Sequence, residues 1–95
     1  MMTIGLQYEV RQGKEDQFKK VFAGVIVTLP KMHGHVATRL FEDVLEPGNF
    51  LLMSRWKLLR DFKTFARGEG FQRISEWAKA ELFRGEPRQQ VYKEK

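Results

Sequence analysis

The sequence predicts an α+β fold of the ferredoxin-like type, with elements in the order β-α-β-β-α-β and a single antiparallel sheet. Three observations predict it. Apolar residues alternate in the first ten residues, recur with helical spacing in two later segments, and fill two short runs that a Glu-Pro-Gly-Asn turn separates. The 95 residues are expected to form one domain spanning 1–95.

The first strand and the first helix are predicted from apolar spacing. The segment "TIGLQYEV" alternates apolar and small or polar residues, which is typical of a half-buried strand. The helix that follows has Glu15 and Asp16 in its first turn, where the helix dipole favours acids, and Pro30 ends it. Its apolar stripe consists of Phe18, Val21, Phe22, Val25, Ile26 and Leu29.

Two strands that form a hairpin are predicted next, over "HVATRLFED" and "FLLMSRW". The second of these is apolar on both faces, with Phe50 and Leu52 on one and Leu51 and Met53 on the other. A strand of this kind is covered on both sides. We expect the helices to cover one side and a second subunit to cover the other, which makes the protein a homodimer.

The remaining residues predict a second helix in two pieces and a last strand, "RQQVYK". Gly68 and Gly70 lie between the two apolar stripes of the helical segment, and each costs about 1 kcal/mol relative to alanine in a helix. We therefore expect a break there, with φ > 0 in at least one of the two glycines.

The composition restricts the class of protein. The chain has no cysteine, which excludes disulfides, thiolate metal sites and a cysteine nucleophile. No signal peptide or membrane span is apparent, so a cytoplasmic location is expected. The net charge of +5 arises after Ser54, but its basic residues are scattered, which favours a solvated surface over binding of nucleic acid or membrane.

An RNA-recognition module shares this order of elements and is the first alternative. Such modules stack bases on aromatic residues of a fixed pattern in their central strands. The third predicted strand, "NFLLMSRW", lacks that pattern. We therefore reject the RNA-binding interpretation.

The two histidines of the chain, His33 and His35, lie in the segment "MHGHV". On a strand, residues two apart share a face, so the pair could in principle bind one metal ion. A zinc or iron site needs three or four ligands, and no carboxylate partner at a fixed spacing is evident. We expect no metal site. His33 is interpreted as an exposed turn residue, and His35 as a strand residue that reaches a cavity or the dimer interface.

Large aromatic residues are concentrated in and around the second helix. Most of them are expected to belong to the core, although aromatic side chains beside a helix break can also hold a flat, apolar ligand. The set comprises Trp56, Phe62, Phe65, Phe71 and Trp77.

Four segments together resemble the antibiotic biosynthesis monooxygenase domains, a family of dimeric α+β barrels. They are "YEVRQGKEDQF", "MHGHV", "SRWKLLRDFKTF" and "GFQRISEWAK", and the resemblance covers nearly the whole chain. It implies a homodimer whose sheets pack face to face, with a cavity between sheet and helices in each subunit. It also implies one of two activities, namely oxidation of aromatic molecules by O2 without metal or flavin, or haem binding and degradation.

The haem-degrading members have an Asn on the first strand, followed by a Trp and a His in the second helical region. The corresponding positions here hold Leu6 (or its neighbour Gln7), Phe65 and Ser75. None of them matches, so we expect no haem cleavage by that mechanism and no required cofactor, with haem binding as the alternative.

The resemblance favours a cofactor-independent monooxygenase that acts on a small aromatic or quinol-type molecule. In this hypothesis His35 is the base, since its ordinary pKa lies near neutrality, and Tyr8 or Arg39 steadies the anion. Trp56, Phe65, Phe71 and Trp77 would surround the ring. A non-catalytic dimer that binds or senses a small ligand remains an alternative, as does a haem-binding protein.

Overall fold

The computed structural model describes residues 1–93 and has the predicted order of elements. The second helical segment is two helices, so the order is β-α-β-β-α-α-β, with a short 3₁₀ turn after the first helix. The elements are β1 (Met2–Glu9), α1 (Glu15–Thr28), the 3₁₀ turn (Leu29–Lys31), β2 (His35–Glu42), β3 (Asn49–Trp56), α2 (Leu59–Arg67), α3 (Glu69–Glu81) and β4 (Arg88–Lys93).

The four strands form one antiparallel sheet in the order β2-β3-β1-β4, which is the ferredoxin-like arrangement. β1 and β3 are the central pair, and their register places Leu6 opposite Leu52 and Tyr8 opposite Phe50. The side chains of these four residues are buried and face the helices, so the core lies between one face of the sheet and the helical layer. Within residues 1–93, no helix is long and apolar enough to cross a bilayer.

Among the described residues, no helix covers the opposite face of the sheet. Leu51 and Met53 of β3 are partly buried there, and Phe41 and Tyr92 on the two edge strands are about half exposed. The prediction that β3 is apolar on both faces is therefore confirmed. We call this surface, formed by Phe41, Leu51, Met53 and Tyr92, the open face.

A β-bulge at the start of β2 determines which way His35 points. His35 pairs with Trp56, while Ala37 already pairs with Arg55, so one extra residue lies on β2 between the two pairs. His35 and Thr38 consequently both lie on the helix side of the sheet, although regular alternation would place residues three apart on opposite faces.

The predicted helix break is confirmed and lies at Gly68, which ends α2 and precedes α3. The expectation of a positive φ was wrong. Gly68 has φ −61° and ψ 145°, an extended conformation open to other residues, and the glycines with positive φ are Gly13, Gly34 and Gly48. The break arises because the extended Gly68 interrupts the helical hydrogen bonds, and no left-handed residue is needed for that.

Candidate functional site

An apolar cleft lies between α1 and its 3₁₀ turn on one side and α2 and α3 on the other. It consists of two adjoining cavities of about 420 Å³ and 400 Å³, which share Met32, Phe65, Gly70 and Phe71. Each has the size of a small-molecule site. The remaining lining residues are His33, Asp61, Thr64 and Gly68 in one cavity and Val21, Gly24, Val25, Thr28 and Ile74 in the other.

A row of aromatic rings connects this cleft with the core. Trp56 of β3 is fully buried and stacks on Phe65, with ring centroids 5.8 Å apart. Phe65 in turn contacts Phe71 across the helix break, at 4.8 Å. Three of the four predicted ring-binding residues are thus brought together. The fourth, Trp77, is 39% exposed on α3 and is not part of the cleft lining.

His35 belongs to a chain of hydrogen bonds behind these rings. Its Nε2 lies 2.7 Å from the Thr38 hydroxyl, which lies 2.7 Å from the Ser54 hydroxyl. The indole Nε1–H of Trp56 donates to the same Ser54 oxygen at 2.7 Å. The His35 ring also meets the Trp56 ring edge-on, with centroids 5.1 Å apart. Four side chains from β2 and β3 are therefore fixed relative to one another.

The hydrogen bonds of His35, Thr38, Ser54 and Trp56 favour the neutral form of His35. Burial lowers the pKa of His35 below its ordinary value, because the imidazolium loses hydration. The indole N–H can only donate, so one Ser54 lone pair is occupied, and its hydroxyl hydrogen is available to Thr38. If Thr38 then donates to Nε2, every hydroxyl hydrogen in the chain is used. Protonation of Nε2 would reverse the direction of both hydroxyls, and this further disfavours the charged form.

The other two predicted catalytic residues lie away from His35. Tyr8 is buried among Phe18, Phe22 and Phe83, and burial raises the pKa of its hydroxyl well above the ordinary value. Arg39 is exposed on the open face, on the other side of the sheet from His35. The structure thus does not bring the three residues together: alternation on β2 turns Arg39 outward, and packing under α1 encloses Tyr8.

Asp61 is a cleft residue that the sequence interpretation did not identify. It lies in the first turn of α2, where an acid is explained by the helix dipole alone, so its position in the sequence gave no functional signal. In the structure its carboxylate lines the cleft beside Phe65 and lies 4.0 Å from Nε2 of His33. Its side chain is 11% exposed, whereas that of His33 is 94% exposed.

The two histidines take different partners. His33 faces Asp61 at the mouth of the cleft, while His35 bonds to Thr38 on the helix side of the sheet. In the part of the chain that the structure describes, no three His, Cys, Asp or Glu side chains are grouped as a metal site requires. The H-x-H spacing therefore reflects the entry into β2 and its bulge.

Haem is the cofactor that the resemblance implies, and the residues present do not fit it. A separate cavity of about 290 Å³ between the sheet and α3 is lined by Leu6, Phe71 and Ser75, among others. Its volume lies at the lower limit for a small-molecule site. Ser75 offers a hydroxyl where an axial imidazole would be needed, and Gln7 is exposed on the other side of the sheet.

The chain matches the family model of antibiotic biosynthesis monooxygenases over residues 1–77. A curated relative, described as a candidate haem-binding protein of Halobacterium salinarum, is 27% identical over 77 residues, which are 81% of this chain. The chain spans only 16% of the length of that relative.

Solved structures of very low identity share the fold. A candidate antibiotic biosynthesis monooxygenase of Deinococcus radiodurans has a TM-score of 0.90 at 14% identity, covering 100% of this chain and 93% of the other. SnoaB of Streptomyces nogalater, a cofactor-independent oxygenase, has a TM-score of 0.83 at 16% identity, covering 98% and 91%. With the sequence match over residues 1–77, the chain belongs to the antibiotic biosynthesis monooxygenase family.

Proposed function

We propose that the protein binds a small aromatic molecule in the cleft between α1 and α2–α3 and oxidises it with O2 without a cofactor. The observation that carries this proposal is the row Phe71–Phe65–Trp56, which leads from the cleft to the neutral imidazole of His35. Aromatic walls suit a flat ring, and the neutral imidazole can accept a proton at Nε2 when the substrate hydroxyl takes the place of Thr38 there.

The proposed reaction is balanced without a reductant. For 1-naphthol as a probe, His35 takes the hydroxyl proton and the electron-rich ring carbon opposite the oxygen bonds to O2. The peroxide anion so formed takes the proton back from His35, and the hydroperoxide then loses water and leaves 1,4-naphthoquinone, so that one naphthol and one O2 give one quinone and one water. All four electrons come from the substrate, and one oxygen atom enters the product.

The position of His35 imposes one condition on this reaction. The imidazole lies against Trp56, and Phe65 lies between Trp56 and the cleft. The proposal therefore requires Phe65 to change its rotamer, so that the substrate ring stacks on Trp56 beside His35. Phe65 is only partly buried, so such a movement is compatible with its surroundings.

The experiment that tests the proposal measures O2 uptake with 1-naphthol, using chelator-treated protein and no reductant. We expect ¹⁸O from ¹⁸O2 in the quinone. The change His35→Asn should lower the rate 10²- to 10⁴-fold, the usual contribution of a general base. Gln17→Asn, at an exposed site on α1 that does not line the cleft, is the control and should leave the rate within about threefold. A rate no higher than in buffer would refute the oxygenase activity, and an active His35→Asn would refute the role of His35.

A binding or sensing protein without catalysis is the second candidate function. The observation that favours it is that Nε2 of His35 already bonds to Thr38 and that His35 does not line the cleft. In this case 1-naphthol binds in the cleft, Phe71→Ala weakens that binding, and no O2 is consumed.

Haem, suggested by the Halobacterium relative, should bind weakly and yield no ring-opened product, because no imidazole stands at position 75.

We infer that the open face pairs with a second copy of the chain. Leu51 and Met53 in the centre of the sheet and Phe41 and Tyr92 at its edges provide the apolar surface for such a contact. A specific dimer buries about 800 Å² on each partner. Sedimentation at micromolar concentration should show a dimer, and Met53→Glu should shift it to a monomer, whereas Val27→Glu on the exposed side of α1 should not.

A further inference from the structure

We propose that the cleft selects aromatic molecules that carry a protonated amine and that the Asp61 carboxylate binds this amine. The inference rests on the proposed function, since it gives the same cleft a narrower class of ligand. Under this proposal the preferred substrate would be an aryl-alkyl amine with a hydroxylated ring.

The surroundings of Asp61 are the first support. Its side chain is 89% covered, yet within residues 1–93 no lysine or arginine nitrogen lies within 4.0 Å of its oxygens. Within the same residues, the basic side-chain nitrogen near its carboxylate is Nε2 of the exposed His33, at 4.0 Å, which is too long for a direct hydrogen bond. A largely buried carboxylate normally has a cation or several donors beside it. A bound ammonium group would supply both the positive charge and the hydrogen-bond donors.

The helix dipole does not account for this placement. An acid in the first turn of α2 gains from the dipole wherever its side chain points. Asp61 makes no capping bond to the end of its own helix and instead packs against Gly34, across the cleft mouth. Gly34 has φ +82°, and a Cβ atom there would collide with the Asp61 carboxyl group. The turn before β2 thus leaves room for the carboxylate in the cleft wall.

The aromatic wall of the same cavity also suits a cation. Phe65 and Phe71 line it together with Asp61, and their rings are 4.8 Å apart and tilted by 40°. The face of an aromatic ring attracts an ammonium group, and the attraction is larger where water is partly excluded. A carboxylate ligand would be repelled by Asp61. The cavity therefore combines an anionic group with aromatic faces, which is the chemistry that recognises an aryl-alkyl amine.

Binding of three ligands of similar shape tests the inference. Phenethylamine, phenethyl alcohol and 3-phenylpropanoate have a cationic, a neutral and an anionic end group, and their affinities are measured by calorimetry or ligand-detected NMR at fixed ionic strength. We expect the amine to bind at least tenfold more tightly than the alcohol, and the acid to bind most weakly. Asp61→Asn should weaken amine binding at least tenfold and alcohol binding less than twofold.

A matched variant removes the same charge elsewhere. Asp16→Asn, at an exposed position in the first turn of α1, should leave all three affinities unchanged. Equal binding of amine and alcohol, or an Asp61→Asn variant that keeps the preference for the amine, would overturn the inference. Alcohol and 1-naphthol binding that Phe71→Ala weakens would in that case still support the aromatic cleft. If no ligand, including 1-naphthol, binds, both the inference and the proposed function fail.

Discussion

Two clusters of aromatic residues lie side by side under the sheet, and they are packed differently. The core cluster, under α1, comprises Tyr8, Phe18, Phe22, Phe50 and Phe83, each no more than 4% exposed. The cleft cluster, under α2 and α3, comprises Trp56, Phe62, Phe65 and Phe71. Its rings range from the fully buried Trp56 to the partly exposed Phe65 and Phe71.

The difference arises from the helix that covers each cluster. α1 is a continuous helix of 14 residues, and Phe18 stacks within it on Phe22 at 4.4 Å and contacts Phe50 at 4.5 Å. The cleft cluster is covered by two helices, of 9 and 13 residues, that meet at Gly68, so its outer rings face a gap. Similar side chains thus form a closed core in one region and the wall of a candidate ligand site in the other.

The largest expected effect is a difference between the two clusters in the stability lost when one ring is removed. Phe18→Ala should lower the free energy of unfolding by about 3 to 5 kcal/mol, because it leaves a cavity among closely packed rings. Phe71→Ala should cost about 1 to 2 kcal/mol, since its ring is already partly in water. Urea denaturation measures both. Equal losses would show that the cleft cluster is ordinary core, and a ligand affinity unchanged by Phe71→Ala would point the same way.

The hydrogen-bond chain behind the cleft gives the next effect. Ser54→Ala removes the oxygen that accepts from the Trp56 indole and faces Thr38, and unpaired buried donors cost about 1 to 3 kcal/mol. Ser75→Ala, at a partly exposed site on α3, is the control and should change stability by less than about 0.5 kcal/mol. Equal unfolding free energies for the two variants would mean that the hydrogen bonds of Ser54 contribute no stability.

Substitutions of the two glycines at the helix break should have smaller effects on stability, and these effects should be opposite in sign. Gly70 is within α3, and an added Cβ would meet no atom within 4 Å, so Gly70→Ala should stabilise the protein by up to about 1 kcal/mol. At Gly68 a Cβ would lie 3.1 Å from the Phe65 carbonyl oxygen, so Gly68→Ala should lower the melting temperature. A rise in melting temperature for both would show that the contact at Gly68 relaxes freely.

The smallest effect is a pH dependence that belongs to His35. Because burial lowers its pKa in the folded protein, the unfolded chain binds the proton more readily. The stability contributed by neutral His35 is therefore present above about pH 6.5, the ordinary value, and is lost as the pH falls towards the folded pKa. In urea denaturation at several pH values, His35→Gln should remove this component and His33→Gln should retain it. A profile unaltered by His35→Gln would contradict the assignment.

The order of elements, the two-sided β3 and the division of the second helical segment could all be predicted from the sequence. Each follows from local periodicity or from a Gly or Pro at a fixed place, and those signals extend over only a few residues. The same reasoning identified Phe65 and Phe71 as residues beside a helix break. The expectation of a positive φ at Gly68 or Gly70 failed because an extended glycine can end a helix as well as a left-handed one.

The sequence by itself thus determined the strands, the helices and the set of aromatic residues available for a site. Only the tertiary structure decided how that site is composed. The bulge in β2 turns His35 towards Trp56, ordinary alternation sends Arg39 to the open face, and the turn at Gly34 admits the Asp61 carboxylate to the cleft. These placements depend on contacts between residues far apart in the chain, and no local pattern records them.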